Sequence, residues 1–258
     1  LFITPRGRGK YWQRLYVWLW ACRRVWDIVV DCKSGIGSVI PARKRYWRYP
    51  NGCESLHRVE KYARLIKLEQ APSPKIFYTQ AEQQISSRLL PNDEKRPILL
   101  VAPIANWAAK TWHADHYIEL ILRLTDQNGL LPNARVALTG AAEDWQQIDA
   151  IRQRLGSVEC MMLVGFNLLT VAAFFSRCDL FIGNDSGLMH MAAAVGIPTL
   201  GLFGPTDKTY FAPYGPNCAV VSTPESPQAL CSKLDDSQNN LTTLMSSLRV
   251  EDVVKAAE

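Results

Sequence analysis

Short apolar runs alternate with longer stretches of helical periodicity through the middle of this 258-residue chain. Ile98-Leu99-Leu100-Val101-Ala102, Arg135-Val136-Ala137-Leu138-Thr139, Cys160 to Val164, Leu180-Phe181-Ile182 and Thr199 to Phe203 each read as a strand of the buried type. Between them the pattern predicts helices from about Asp115 to Gln127, Trp145 to Leu155, Leu168 to Arg177 and Leu188 to Val195. Gly196 and Pro198 supply the stop signals of the last one. Strand and helix alternating across 97–203 predict an α/β fold with a doubly wound parallel sheet.

The N-terminal part is patterned differently. From about Tyr11 to Trp26 basic residues interleave with Tyr and Trp, which suits a helix with a wide apolar face. Such a helix either packs into a core with a solvated basic side, or lies at a membrane boundary with its cations on lipid phosphates. Trp26 to Asp31 reads as a strand, Ser34-Gly35-Ile36-Gly37-Ser38 as the turn that follows, and Ser55 to Leu68 as a helix. Arg43-Lys44-Arg45 and Arg48 add a basic cluster. Pro72, Pro74 and Pro91, with polar residues around a short helix over Gln80 to Leu89, mark a linker. The expected organisation is a unit over 1–78, a linker over 79–96 and a second unit over 97–258.

Charge sharpens that division. The chain carries a formal +5, yet residues 1–67 hold 15 Lys and Arg against 4 Asp and Glu. This is the balance of a segment that either meets an anionic partner or exposes a solvated basic face. Seven cysteines without a C-x-x-C pair indicate reduced thiols rather than a zinc site or a disulfide framework. No stretch approaches the roughly 20 apolar residues that span a bilayer, so a soluble or peripheral protein is expected.

Candidate chemistry gathers at the C-terminal ends of the predicted parallel strands, where ligands bind in open sheets of this kind. Lys110 is the cation of the loop over 103–112, flanked by Trp107, Thr111 and Trp112; it is either a surface lysine or a partner for a diphosphate. Glu143 follows the next strand and suits a ribose hydroxyl or a helix cap. Asp185-Ser186-Gly187 stands before an apolar helix, where unpaired N–H groups and the helix dipole favour an anion. His190 lies on the first turn of that helix, as a core residue or a ligand contact.

The block from Asp185-Ser186-Gly187-Leu188-Met189-His190 through Gly196, Pro198 and Phe203-Gly204-Pro205-Thr206 resembles the most diagnostic stretch of the ADP-heptose lipopolysaccharide heptosyltransferases, glycosyltransferase family 9. Pro103, Asn106-Trp107 and Lys110-Thr111-Trp112 are similar to the loop before the first helix of that family's donor domain. Trp26 to Ser34 and His57 to Leu68 are similar to later parts of its acceptor domain. The resemblance implies a GT-B fold of two Rossmann-like parallel-sheet domains, here with an incomplete N-terminal one. It also implies inverting, metal-independent transfer of heptose from ADP-heptose to the anionic lipid A inner core, with no cofactor and no nucleic-acid partner. By position Lys110, Thr111, Glu143, Asp185, Ser186, Gly187 and His190 would contact the donor. The cytoplasm is the implied location, with peripheral contact at the inner membrane. One departure stands out: the family opens with a strand and a Gly-rich loop bearing the aspartate proposed as general base, and nothing before Trp26 matches it. A shortened acceptor domain, a base placed elsewhere, or a nucleotide-sugar-binding protein without transfer activity would each account for this.

Overall fold

A computed structural model describes residues 10–33, 39–90, 96–234 and 242–258. The turn read over Ser34 to Ser38, and the segment bearing Gly7 and Gly9, lie outside the described residues. The chain divides into two compact units, Leu1–Pro72 and Ser73–Glu258.

The first unit contains helix α1 (Lys10–Cys22), strands β1 (Trp26–Val30) and β2 (Ala42–Tyr46) and helix α2 (Arg58–Leu65). β1 and β2 pair in parallel, Trp26 opposite Ala42. The basic cluster Arg43-Lys44-Arg45 is thus strand, its side chains exposed, and Arg43 pairs with Asp27 at 3.2 Å. Aromatic rings lie under the cations: Lys44 over Tyr46, Arg48 over Trp47 and Lys61 over Tyr49. His57 is the N-cap of α2, its Nδ1 accepting from the Val59 N–H at 3.2 Å.

The second unit begins at Ser73. Helix α3 (Gln80–Leu89) opens on a capping box between Thr79 and Glu82. Arg177 donates to the carbonyls of Ser86 and Leu90 at the end of α3, and Leu90 is buried. The segment read as a linker therefore contains a helix seated on the second unit.

Strands β3 (Ile98–Ala102), β4 (Arg135–Gly140), β5 (Cys160–Val164), β6 (Leu180–Asn184), β7 (Thr199–Phe203) and β8 (Cys218–Ser222) form one sheet in the order β5-β4-β3-β6-β7-β8. Every pairing is parallel. Helices α4 (Ala114–Thr125), α5 (Trp145–Arg154), α6 (Leu168–Phe175), α7 (Gly187–Val195), α8 (Lys208–Phe211), α9 (Pro227–Cys231) and α10 (Val250–Ala257) complete the unit. Alternation within β3 shows how the layers arise. Leu99 and Val101 pack with Ile121 of α4, Ile148 of α5 and Val253 of α10. Ile98, Leu100 and Ala102 enter the opposite core, with Phe174 and Phe175 of α6 and Met189 of α7. With both faces covered, the strands carry the near-continuous apolar runs seen in the sequence. Gly201 lets α7 approach the sheet, since a Cβ there would stand 2.6 Å from Met189 Sδ.

Among the described residues no helix is long and apolar enough to cross a membrane.

Candidate functional site

The strand order reverses between β3 and β6, and chain crossovers leave that point on opposite faces, opening a crevice above the C-terminal strand ends. A cleft of about 570 Å³ lies there. Its walls come from four strand ends: Ile104, Asn106, Trp107 and Lys110 after β3; Gly140 to Ala142 and Asp144 after β4; Gly165, Phe166 and Leu168 after β5; Asp185 to Leu188, His190 and Met191 after β6.

Lys110 ends a 3₁₀ turn, Ala108–Lys110. Its Nζ lies 2.7 Å from Asp185 Oδ2, with the lysine side chain 23% and the aspartate 7% exposed. The pair places a cation on the cleft wall while leaving the buried carboxylate compensated. Asp185 does not cap α7. Ser186 is the N-cap residue and its side chain makes no capping bond, while its buried Oγ has no hydrogen-bond partner. The first N–H groups of α7 therefore face the cleft without a side-chain acceptor, beside an orphan hydroxyl and across from a lysine. Unpaired amides, dipole and cation together make a site for a phosphate-bearing anion. A Cβ on Gly187 would meet nothing within 4 Å, so the backbone is open to a ligand there.

The loop holding Lys110 is fixed from below. Asn184, fully buried at the end of β6, donates from Nδ2 to the Pro103 carbonyl at 2.9 Å and accepts at Oδ1 from the Trp112 N–H at 3.0 Å. Trp112 Nε1 donates to the Leu248 carbonyl at 3.0 Å. Tyr117 meets the Trp112 ring edge-on at 5.1 Å, and complete burial pushes its hydroxyl well above the usual tyrosine range, so it stays neutral.

Of the residues expected from the sequence, Lys110, Asp185, Ser186, Gly187 and His190 share this cleft. Thr111 and Glu143 do not line it. Thr111 Oγ1 instead accepts the Ala105 N–H at 3.2 Å, bracing the loop from within. Glu143 is exposed in the 3₁₀ turn Ala142–Asp144, which presents the next carboxylate to the cleft; Asp144 Oδ2 accepts the Ala141 N–H at 3.0 Å. Phe166 and Asn184 were not singled out in the sequence. An aromatic one glycine beyond a predicted strand was a usable signal for Phe166, whereas Asn184 had none, its partners being remote in the chain. Among the described residues no three His, Cys, Asp or Glu side chains group as a metal site.

The profile of glycosyltransferase family 9 (heptosyltransferase) matches residues 43–241. The chain belongs to glycosyltransferase family 9. The lipooligosaccharide heptosyltransferase 2 of Haemophilus influenzae is 36% identical to this family 9 chain over 132 residues, 49% of this chain and 37% of that protein. The lipopolysaccharide heptosyltransferase 2 of Escherichia coli K12 is 29% identical over 153 residues, 57% of this chain and 42% of its own length. The chain thus spans less than half of these curated relatives. Among solved structures, E. coli ADP-heptose lipopolysaccharide heptosyltransferase II superposes with a TM-score of 0.64 at 20% identity, covering 89% of this chain and 74% of that one. An E. coli heptosyltransferase with ADP gives 0.65 at 20% identity, covering 97% and 78%. At this identity the likeness concerns fold, and it is the α/β, GT-B type.

Proposed function

We propose that this protein acts as a heptosyltransferase of lipopolysaccharide core assembly, moving heptose from ADP-heptose to an anionic lipid A core acceptor with inversion and without a metal ion. The observation that carries the reading is the pairing of an uncapped α7 N-terminus with Lys110 across one cleft at the strand-order reversal. In this reading the unit Ser73–Glu258 holds the donor and the basic first unit takes the acceptor. Lys110 and the α7 N–H groups neutralise the departing ADP, the role a cation plays elsewhere. Ser186 Oγ and the Gly187 N–H bind phosphate oxygens, Asp185 accepts from hydroxyls of the sugar, and His190 meets the phosphates or the sugar. Glu143 is left out because it lies outside the cleft wall.

Asp27 and Asp31 are engaged locally, the first with Arg43 at 3.2 Å and the second accepting the Lys33 N–H at 3.0 Å. Neither is proposed as the base. The donor cleft by itself would equally serve a second reading, a nucleotide-sugar-binding protein without transfer. The expected site of action is the cytoplasmic face of the inner membrane, with contact through α1, whose Trp12 and Tyr16 are 77% and 65% exposed.

The deciding experiment incubates the chain with ADP-heptose and a core lipid acceptor in the presence of EDTA. Acceptor-dependent ADP release supports transfer; ADP binding without release supports the second reading; absence of both overturns the assignment of the cleft to a nucleotide sugar.

A further inference from the structure

The segment that carries Lys110 runs from the end of β3 to the start of α4 with the single 3₁₀ turn Ala108–Lys110 in it, so no α-helix or strand fixes where its lysine stands. Two of its backbone groups are buried and lie outside any ladder: the Pro103 carbonyl just past β3, and the Trp112 N–H just before the N-cap of α4. Both find their partner in one side chain. Asn184 Nδ2 donates to Pro103 O at 2.9 Å, and Oδ1 accepts from Trp112 N–H at 3.0 Å. A carboxamide is suited to this because it offers a donor and an acceptor on one planar group. The next residue, Asp185, holds the tip of the same loop through Lys110 Nζ at 2.7 Å. Two consecutive residues at the end of β6 therefore grip one loop twice, Asn184 by both ends of its backbone and Asp185 by its cation. From the opposite side the Leu244 N–H donates to Ala109 O at 3.0 Å and Thr243 Oγ1 donates to Thr111 O at 2.6 Å, so the loop is closed between two fixed elements.

We propose that Asn184 is a positioning residue for the diphosphate grip: it sets the loop so that Lys110 stands beside Asp185 and across from the α7 N-terminus. The proposal rests on the nucleotide reading for its ligand, and on the geometry of the loop for its position. A purely structural asparagine would stabilise the unit without governing Lys110. The two roles separate because Lys110 is bonded to the residue next to Asn184 and carried by the loop that Asn184 pins.

The test uses the full chain with Asn184→Asp and Asn184→Leu. Aspartate keeps the acceptor for Trp112 N–H and loses the donor for Pro103; leucine loses both. Without any ligand, acylation of Lys110 by an amine-reactive reagent is read by peptide mass spectrometry against exposed Lys208. Titration with ADP is then followed by calorimetry at a temperature where circular dichroism shows each variant folded. Lys110 labelling is expected to rise toward that of Lys208, more in leucine than in aspartate, and ADP to bind about tenfold more weakly in leucine, the loss that one unsatisfied buried pair implies. Variants that lose thermal stability while Lys110 labelling and ADP affinity stay within about twofold of wild type would overturn the proposal. If the wild-type chain does not bind ADP, the nucleotide reading falls, and the labelling still decides the role of Asn184. If the leucine variant does not fold, the aspartate variant decides it alone.

Discussion

Replacing Lys110 by Met tests the cleft at its centre, because the change keeps the aliphatic stem and removes only the charge. The 2.7 Å pair joins a lysine that is 23% exposed to an aspartate that is 7% exposed. At an effective dielectric of about 20, two unit charges at that separation attract by roughly 6 kcal/mol, most of it offset by the desolvation of both groups. What the variant loses is set by the carboxylate left behind, buried without its cation, at about 2 kcal/mol. For a unit of this size that corresponds to a fall in Tm of roughly 4–8 °C by calorimetry. Asp185→Asn should cost less, since a lysine tip can swing into water. The double variant, with no stranded charge, should recover about 1 kcal/mol or more relative to the sum of the singles. ADP affinity gives a second, signed readout. Lys110→Met removes a charge-assisted bond to phosphate and should weaken ADP by about 30-fold. Asp185→Asn frees the lysine and removes a negative charge from the cleft, so ADP should bind more tightly. The reasoning is refuted if Lys110→Met leaves ADP affinity within about twofold, or if both single variants weaken ADP alike.

Gly187→Ala should leave Tm unchanged or raise it, since a Cβ there meets nothing within 4 Å and alanine suits a helix better by about 0.5–1 kcal/mol; ADP binding by calorimetry should weaken nonetheless, because the methyl would occupy the approach to the α7 amides. Burial pushes the Cys160 thiol from 9.0 up to about 11; the unfolded chain therefore loses that proton first, and stability present below pH 9 drains away toward pH 11. In urea titrations the stability difference between wild type and Cys160→Ala should shift against wild type across that window, and a flat difference would contradict it. Co-sedimentation with anionic vesicles should fall when Trp12 and Tyr16 of α1 are both changed to Ala, and equal sedimentation of the variant would count against α1 as the contact.

What could be read from the sequence, and what could not, follows from how far apart the causes lie. The β6–α7–β7 stretch was legible because its signals are local: an apolar run, a polar turn, and a stop at Gly196, whose φ of 93° a residue with a side chain rarely adopts. β2 was hidden because Ala42–Tyr46 places three cations in five residues, and such residues are depleted in strands except where the side chains stand in water, as these do. β8 and α10 went unread although β8 is an edge strand of the sheet and α10 packs on it: β8 offers only the short run Cys218 to Val221, half-buried, and α10 is eight residues long. The same distinction divides the site. Ser186 and Gly187 take their role from the helix they start, which periodicity announces. Glu143 and Asp144 are adjacent and chemically alike, so only the 3₁₀ turn that exposes one and brings the other to the cleft could choose between them.

The position of Lys110 depends on contacts that no local pattern encodes. Asp185 is 75 residues away from it in the chain, Asn184 joins the two ends of its loop across 72 and 81 residues, and Trp112 is tied to Leu248 across 136. A lysine beside two tryptophans suggested a phosphate partner by chemistry alone, while what aims it is a carboxamide at a strand end that reads in the sequence as the first polar residue of a turn. Strand ends in an open parallel sheet are where such remote contacts converge, since neighbouring parallel strands bring distant loops side by side. For this fold the residues that set a ligand grip are therefore to be sought among buried polar side chains at the reversal of strand order, one step beneath the groups that touch the ligand.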